Sequence, residues 1–321
     1  MVEALNLALA RAMDEESRVL LLGEDVGVNG GVFRVTNGLF KRFGADRVFD
    51  TPLAEQLIAG MSIGLAAQGF RPVAEIQFVA FVYPAIDQIA NHATRLRTRT
   101  RGRLTCPMVL RAPFGGGVHA PEHHSESIEA MFAHIPGLRV VIPASPAKAY
   151  GLLLSAIRDP DPVIFLEPTR LYRAVHEEVV DDGVGLPLDR SFVVREGRDV
   201  TMVTWGAMIR EVTAAATTLA RDGVEAEIVD VASIKPLDMD TILASVEKTG
   251  RCVIVHEAPL SCGVGAEIAA RLAERGLLSL LAPPERVTGY DTVMPLPRLE
   301  HFYMPNESRI LAAARRTLAA A

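Results

Sequence analysis

Met108-Val109-Leu110, then Gly115-Gly116-Gly117-Val118-His119-Ala120-Pro121-Glu122-His123-His124-Ser125-Glu126-Ser127, then a helical pattern opening near Ile128, is the stretch that decides the fold. The apolar run reads as a buried strand. Three consecutive glycines cost backbone entropy and make poor helix or strand, so the segment that follows is a loop. Strand, glycine-rich loop and helix in that order place the loop at the carboxyl edge of a sheet, where open α/β folds hold their ligands. His119, His123 and His124 crowd into it with Glu122 and Glu126. Groups that move protons near neutral pH therefore sit where backbone can approach a ligand closely.

The same rhythm extends on both sides. Arg18 to Leu22 reads as a strand, and Thr51-Pro52 as the capped start of a helix running to Gly69. Val73 to Phe78 is a strand, Pro84 to Leu96 a helix, Val140 to Pro143 a strand, Ala147 to Ile157 a helix and Val163 to Leu166 a strand. This alternation implies α/β architecture with a mostly parallel sheet covered on both faces. Residues 176–198, rich in acidic residues, glycine and proline, form a linker. The pattern then resumes: strands at 200–205, 226–231 and 251–256, helices at 209–219, 241–248, 266–275 and 308–318. The expectation is two doubly wound domains, 1–175 and 199–321.

A chain of 321 residues, 49% hydrophobic and 22% charged, has ample core for two such domains. A net charge of −6 argues against nucleic acid as partner. The alternating Arg95, Arg97, Arg99, Arg101 and Arg103 read as a solvated or interface face. Cys106, Cys252 and Cys262 are too scattered for a disulfide framework, which points to a reducing, cytoplasmic setting. No apolar run reaches the roughly 18 residues of a membrane span.

Several constellations could carry chemistry. Glu55 in Asp50-Thr51-Pro52-Leu53-Ala54-Glu55 is either a carboxylate stabilising a helix N-terminus or an acid tuned by apolar neighbours to share a proton with a ligand nitrogen. Glu24 in Gly23-Glu24-Asp25-Val26-Gly27 is either a turn residue or part of a buried carboxylate relay. The histidine loop offers acid/base or substrate-binding imidazoles, or surface polarity. A zinc cluster is disfavoured, because Pro121 interrupts the helix that His119-x-x-x-His123 would need. Neither a phosphate loop of the Gly-x-x-x-x-Gly-Lys type nor a Gly-x-Ser-x-Gly elbow occurs. A metal-dependent hydrolase built on the histidines and a non-catalytic assembly subunit stay open as alternatives.

Gly23-Glu24-Asp25-Val26-Gly27, Arg47-Val48-Phe49-Asp50-Thr51-Pro52-Leu53-Ala54-Glu55, Glu75-Ile76-Gln77-Phe78, His124-Ser125 and Asp161-Pro162-Val163-Ile164-Phe165-Leu166-Glu167 occur in this order. Together with Lys248-Thr249-Gly250-Arg251 and Tyr290-Asp291-Thr292 they make the chain resemble the beta subunits of thiamine-diphosphate-dependent 2-oxo acid dehydrogenases over essentially its whole length. The resemblance implies a transketolase-like pyrimidine-binding domain followed by a transketolase C-terminal-like domain. It also implies a heterotetramer of two alpha and two beta chains, with thiamine diphosphate between an alpha and a beta chain. It assigns Glu55 to the aminopyrimidine ring, driving formation of the reactive ylide. Gln77 and Phe81 fall where side chains line and pack on that ring, His124 where a histidine faces substrate and the lipoyl group, and Glu24 in a proton relay. Structural potassium is implied at Met108, Ala156, Ile157, Asp159 and Asp161, mainly through backbone carbonyls, although Asp161 replaces an asparagine common there. Pro84 stands where pyruvate-specific relatives often carry a glutamate of the relay.

The chain contains no Gly-Asp-Gly, the signature that grips magnesium and diphosphate, so the alpha subunit is expected to hold them. The implied reaction is oxidative decarboxylation of a small 2-oxo acid with acylation of a lipoyl domain on an acyltransferase component. His256-Glu257-Ala258-Pro259-Leu260 and Gly289-Tyr290-Asp291-Thr292 look like branched-chain members, while Phe114-Gly115-Gly116-Gly117-Val118-His119 looks like pyruvate members. The expectation is branched-chain specificity, with a pyruvate-specific or acetoin-type member as the alternative.

Overall fold

A computed structural model describes residues 1–320. They fall into two compact units, one of Met1–Phe114 with Met131–Leu188, the other of Gly115–Ala130 with Asp189 onward. The glycine-histidine loop thus groups with the second unit, although its chain leaves a strand of the first.

In chain order the first stretch carries α1 (Val2–Glu15), β1 (Val19–Gly23), α2 (Leu39–Phe43), β2 (Val48–Asp50), α3 (Glu55–Ala67) and β3 (Arg71–Glu75). There follow α4 (Leu96–Arg99), β4 (Val109–Phe114), α5 (Glu129–His134), β5 (Arg139–Val141), α6 (Pro146–Arg158) and β6 (Val163–Pro168). Strands of the first unit lie in the order β5-β6-β4-β3-β1-β2. Every pairing among them is parallel. β4 and β6 are buried at all positions, as central strands covered on both faces must be. α6 starts cleanly because the Ser145 hydroxyl accepts from Lys148 N–H and Pro146 takes the first turn. α1 packs against α6, and its buried Leu5, Leu9 and Met13 recur at helical spacing.

Three sequence expectations are corrected here. Thr51 does not cap a helix. Its N–H continues the β1–β2 ladder to Gly23 O at 2.9 Å, so the chain stays extended and α3 opens only at Glu55, with Ala54 before it. The third strand ends at Glu75 rather than Phe78, and Ile76 N–H makes the last bond of the β3–β4 ladder, to Arg111 O at 2.9 Å. Pro84 to Leu96 is no single helix: 3₁₀ turns at Val79–Ala85 and Ala93–Arg95 flank a π turn at Gln88–His92. Proline removes one amide from this segment, and Thr94 bonds back to Ala90 O at 2.9 Å.

The second unit carries β7 (Phe192–Arg195), β8 (Val200–Thr204), α7 (Ile209–Arg221), β9 (Ala226–Asp230), β10 (Ser233–Lys235), α8 (Met239–Thr249), β11 (Cys252–Pro259), α9 (Val264–Arg275), β12 (Glu285–Gly289), α10 (Glu300–Tyr303) and α11 (Glu307–Ala319). Its five-stranded sheet has the order β12-β11-β8-β9-β7. Only β7 is antiparallel, at the edge. Its core gathers Val200, Met202, Val212, Ile228, Val253, Val255 and Ile310. Among the described residues no helix is long and apolar enough to cross a membrane.

Candidate active site

In the first unit the chain moves from β1 outward to β2, then returns to place β3 on the other side of β1. That reversal opens a crevice beyond the carboxyl ends of β1 and β3, the position where open parallel sheets take ligands. The residues there are Glu24 and Asp25 after β1, and Gln77 and Phe81 after β3. Gly23 pairs in register with Glu75, and a Cβ on Gly23 would come within 2.7 Å of Glu75 O, so glycine permits the close approach. Gln77 Nε2 bridges the two loops by donating to Asp25 Oδ2 at 3.2 Å. Gly27 N–H ties the β1 loop to Asp50 Oδ1 of β2 at 2.7 Å.

Glu55 is the first residue of α3, half-buried, on the loop that follows β2. Glu24 is buried, and its Oε1 is a buried oxygen with no hydrogen-bond partner. Burial first, then the neighbouring charges of Glu55 and Asp25, raise the Glu24 pKa above the ordinary carboxylate value. Phe81 lies half-buried against Phe78 with ring centroids 5.7 Å apart, and Phe78 in turn meets Phe33 edge-on at 5.5 Å. The crevice therefore joins two close carboxyl groups, an amide and an aromatic wall.

Beneath it lies a cluster the sequence reading missed. Arg111 is fully buried on β4, 2.9 Å from Glu75 and 2.6 Å from Glu167, and Tyr172 donates to Glu167 at 2.6 Å. Burial raises the Glu75 pKa against the pull of Arg111. The signal available was a charged residue within or just past each of three apolar strand segments, Glu75, Arg111 and Glu167.

His124 belongs to the second unit, in the 3₁₀ turn Glu122–His124. That unit has its own reversal, between β8 and β11, but here the carboxyl ends are filled. Trp205 and His256 stack at 5.0 Å, and Trp205 Nε1 donates to Glu129 at 3.1 Å. Burial holds His256 down to about 3 and pushes Glu129 up to about 7.

The candidate potassium residues all lie in the first unit. Met108 O accepts from Val163 N–H at 3.0 Å, and Ile157 O and Asp159 O accept from the Arg71 guanidinium at 2.8 and 3.2 Å. Asp159 and Asp161 pair through their side chains with Arg139 and Arg97. The alternating arginines from Arg95 to Arg103 are exposed. No cluster of three or more metal-ligating side chains occurs among the described residues.

The family model of the transketolase pyrimidine-binding domain matches residues 1–175, and that of the transketolase C-terminal domain matches 190–310. The pyruvate dehydrogenase E1 component beta subunits of Staphylococcus aureus (strain N315) and Bacillus subtilis (strain 168) are each 50% identical over 318 residues, covering 99% of this chain and 98% of theirs. This chain belongs to the beta-subunit family of 2-oxo acid dehydrogenase E1 components. A solved split-gene transketolase, an inactive beta4 tetramer, shares the E1 beta fold at TM-score 0.81 and 26% identity, covering 99% of this chain and 97% of that one. The two-domain transketolase-like α/β fold expected for an E1 beta chain is the one observed.

Proposed function

We propose that this chain supplies the proton-handling half of a thiamine diphosphate site in an E1 component that decarboxylates pyruvate and acylates a lipoyl domain. One observation carries the reading: a buried, unpartnered oxygen of Glu24 beside the charge of Glu55, at the switch point of the first unit. A carboxyl oxygen kept from water without a partner is costly unless a ligand or a proton serves it. Glu55 would hold the proton exchanged with the aminopyrimidine, Gln77 would orient the ring edge, and Phe81 would form its apolar wall. Glu24, its pKa raised by burial and by the charge of Glu55, would be the first station of a proton relay beside Glu55. His124 would face the 2-oxo acid and the lipoyl group. When bound, thiamine diphosphate supplies the carbanion chemistry.

Leu53 and Leu57 flank Glu55 in sequence and are exposed, Leu53 to 81%. They support a partner over this edge, an alpha subunit that brings magnesium and the diphosphate ligands in a two-alpha, two-beta assembly, with a lipoyl acyltransferase as the next component. A cytoplasmic location goes with that assembly, and cell fractionation tests it. Potassium at Met108, Ala156, Ile157, Asp159 and Asp161 would share two carbonyls with Arg71, each through its second lone pair. A higher thermal midpoint in potassium than in sodium chloride at equal ionic strength is expected, and equal midpoints would remove the site.

The relatives named above are named for pyruvate, which favours the pyruvate alternative over the branched-chain expectation. His256 and Glu257, which prompted that expectation, are buried in β11, so their identity reports packing within the second unit. The test is the chain reconstituted with a Gly-Asp-Gly-bearing alpha subunit, assayed with pyruvate, 2-oxoisovalerate and 2-oxoglutarate. Pyruvate is expected to lead in kcat/KM by about tenfold or more, the scale on which a pocket discriminates a few methylenes. Equal or faster turnover of 2-oxoisovalerate would return the assignment to the branched-chain class.

A further inference from the structure

The loop bearing His123 and His124 is gripped at its root by two buried carboxylates of its own unit. Glu257, near the end of β11, accepts from Gly116 N–H at 3.0 Å. Glu300, the first residue of α10, accepts from Gly117 N–H and, at 3.1 Å, from His119 N–H. The His119 ring lies over the same carboxylate, Nδ1 at 3.2 Å from Oε2. Glu300 is 2% exposed, and among the described residues no lysine or arginine pairs with it. Two backbone amides and an exposed imidazole are what compensate its removal from water.

The loop is shaped to provide them. Gly115, Gly117 and His119 have φ of +88°, +81° and +57°, a turn that aims the amides of Gly117 and His119 at the one Glu300 carboxylate. A Cβ on Gly115 would come within 2.6 Å of Glu257 Oε2, and one on Gly116 within 2.5 Å of Met294 Cε. The run of glycines is thus demanded by the approach of the second unit's side chains as well as by chain freedom. His119 accepts a left-handed conformation that costs a non-glycine residue about 1 kcal/mol. Gly115 N–H bonds Glu126 O at 3.0 Å, which draws the two ends of the loop together around His124.

We propose that Glu300 is a positioning residue: by holding the amides of Gly117 and His119 it sets where the His124 loop stands, and so governs transfer of the acyl group without touching a reactant. The proposal rests on the reading of His124 given above. Glu300→Gln keeps the shape but turns an NH₂ towards one of the two amide donors. In the reconstituted holoenzyme, amide exchange across 115–119 should quicken about tenfold, which corresponds to ~1.4 kcal/mol of lost local protection. Single-turnover acylation of a lipoyl domain should slow about 10- to 100-fold, while exchange of the cofactor proton, the task assigned to Glu55, and KM for the 2-oxo acid stay near wild type. Unchanged amide exchange overturns the grip. Quickened amide exchange with normal acylation overturns the positioning role. His124→Ala measured in parallel separates the two readings: normal acylation there defeats the assignment of His124, whereas slowed acylation there with a normal Glu300→Gln defeats only the present proposal. If Glu300→Gln does not assemble, Glu300→Asp, which retains the charge but withdraws it by one methylene, gives the same contrast.

Discussion

Glu55 and Glu24 are two carboxyl groups at one crevice with different surroundings. Glu55 is half-buried at the start of α3, where its charge acts on Glu24. Glu24 is buried, beside that charge, and is driven towards its protonated form. Glu55→Gln keeps the volume and the hydrogen-bonding atoms but cannot give or take the proton. Assembly with the alpha subunit, followed by size exclusion, should be unaffected. Turnover should fall by about 10²–10⁴, the usual contribution of one positioned acid or base. Near-normal turnover in the assembled variant would reduce Glu55 to a helix-terminus carboxylate. At this scale the sequence was legible in placement, with Glu55 at a helix start and the histidines in a loop. It was illegible where the partner is remote: nothing around Glu300 points to amides 181 and 183 residues away.

Among elements, the contrast lies between two strand reversals, one open and one filled. At β8 and β11 the crevice is closed by Trp205 on His256, with Glu129 beneath the indole N–H. Gly263 and Gly265 let the start of α9 close on the imidazole, since a Cβ on Gly265 would reach within 2.6 Å of Nε2. Glu129 titrates at about 7 when folded, because burial disfavours its anion, against an ordinary 4.5 when unfolded. Between those values the folded chain holds a proton that the unfolded chain has lost. Its contribution is therefore complete below about 4.5 and is lost as pH rises through about 7, on the order of 1–3 kcal/mol. His256, held to about 3, slopes the other way between about 3 and 6.5. The comparison is thus made against Glu129→Gln, which leaves that slope in place. Denaturant unfolding from pH 5 to 8, followed by Trp205, the only tryptophan, should show wild type losing stability relative to the variant. Parallel curves would show that Glu129 stays in one protonation state. Element positions were readable from apolar runs and glycines, whereas the false cap at Thr51 and the broken Pro84–Leu96 helix were not. At Thr51 a ladder hydrogen bond to Gly23, and in 84–96 a proline with a local Thr94-to-Ala90 bond, overrode local propensity.

For the whole molecule, the strand–helix alternation announces two units built on mainly parallel sheets, but a chain can carry half a site without announcing the other half. The described crevice has carboxyl groups, an amide and aromatic rings; nothing in it suits a doubly charged diphosphate, and the exposed arginines from Arg95 to Arg103 sit after β3 on a separate helical stretch. Binding energy for thiamine diphosphate comes largely from phosphate and metal contacts, which are charge-assisted and strong. On the proposed division of the site those contacts come from the alpha subunit's Gly-Asp-Gly, a motif this chain lacks. The isolated chain is therefore expected to bind thiamine diphosphate with magnesium at least about 100-fold more weakly than the complex with an alpha subunit, a loss of ~2.7 kcal/mol or more. Titration calorimetry on the chain alone and on the complex measures both. Tight, magnesium-dependent binding to the chain alone would mean that a phosphate grip exists within it, and the division of the site between two subunits would have to be abandoned.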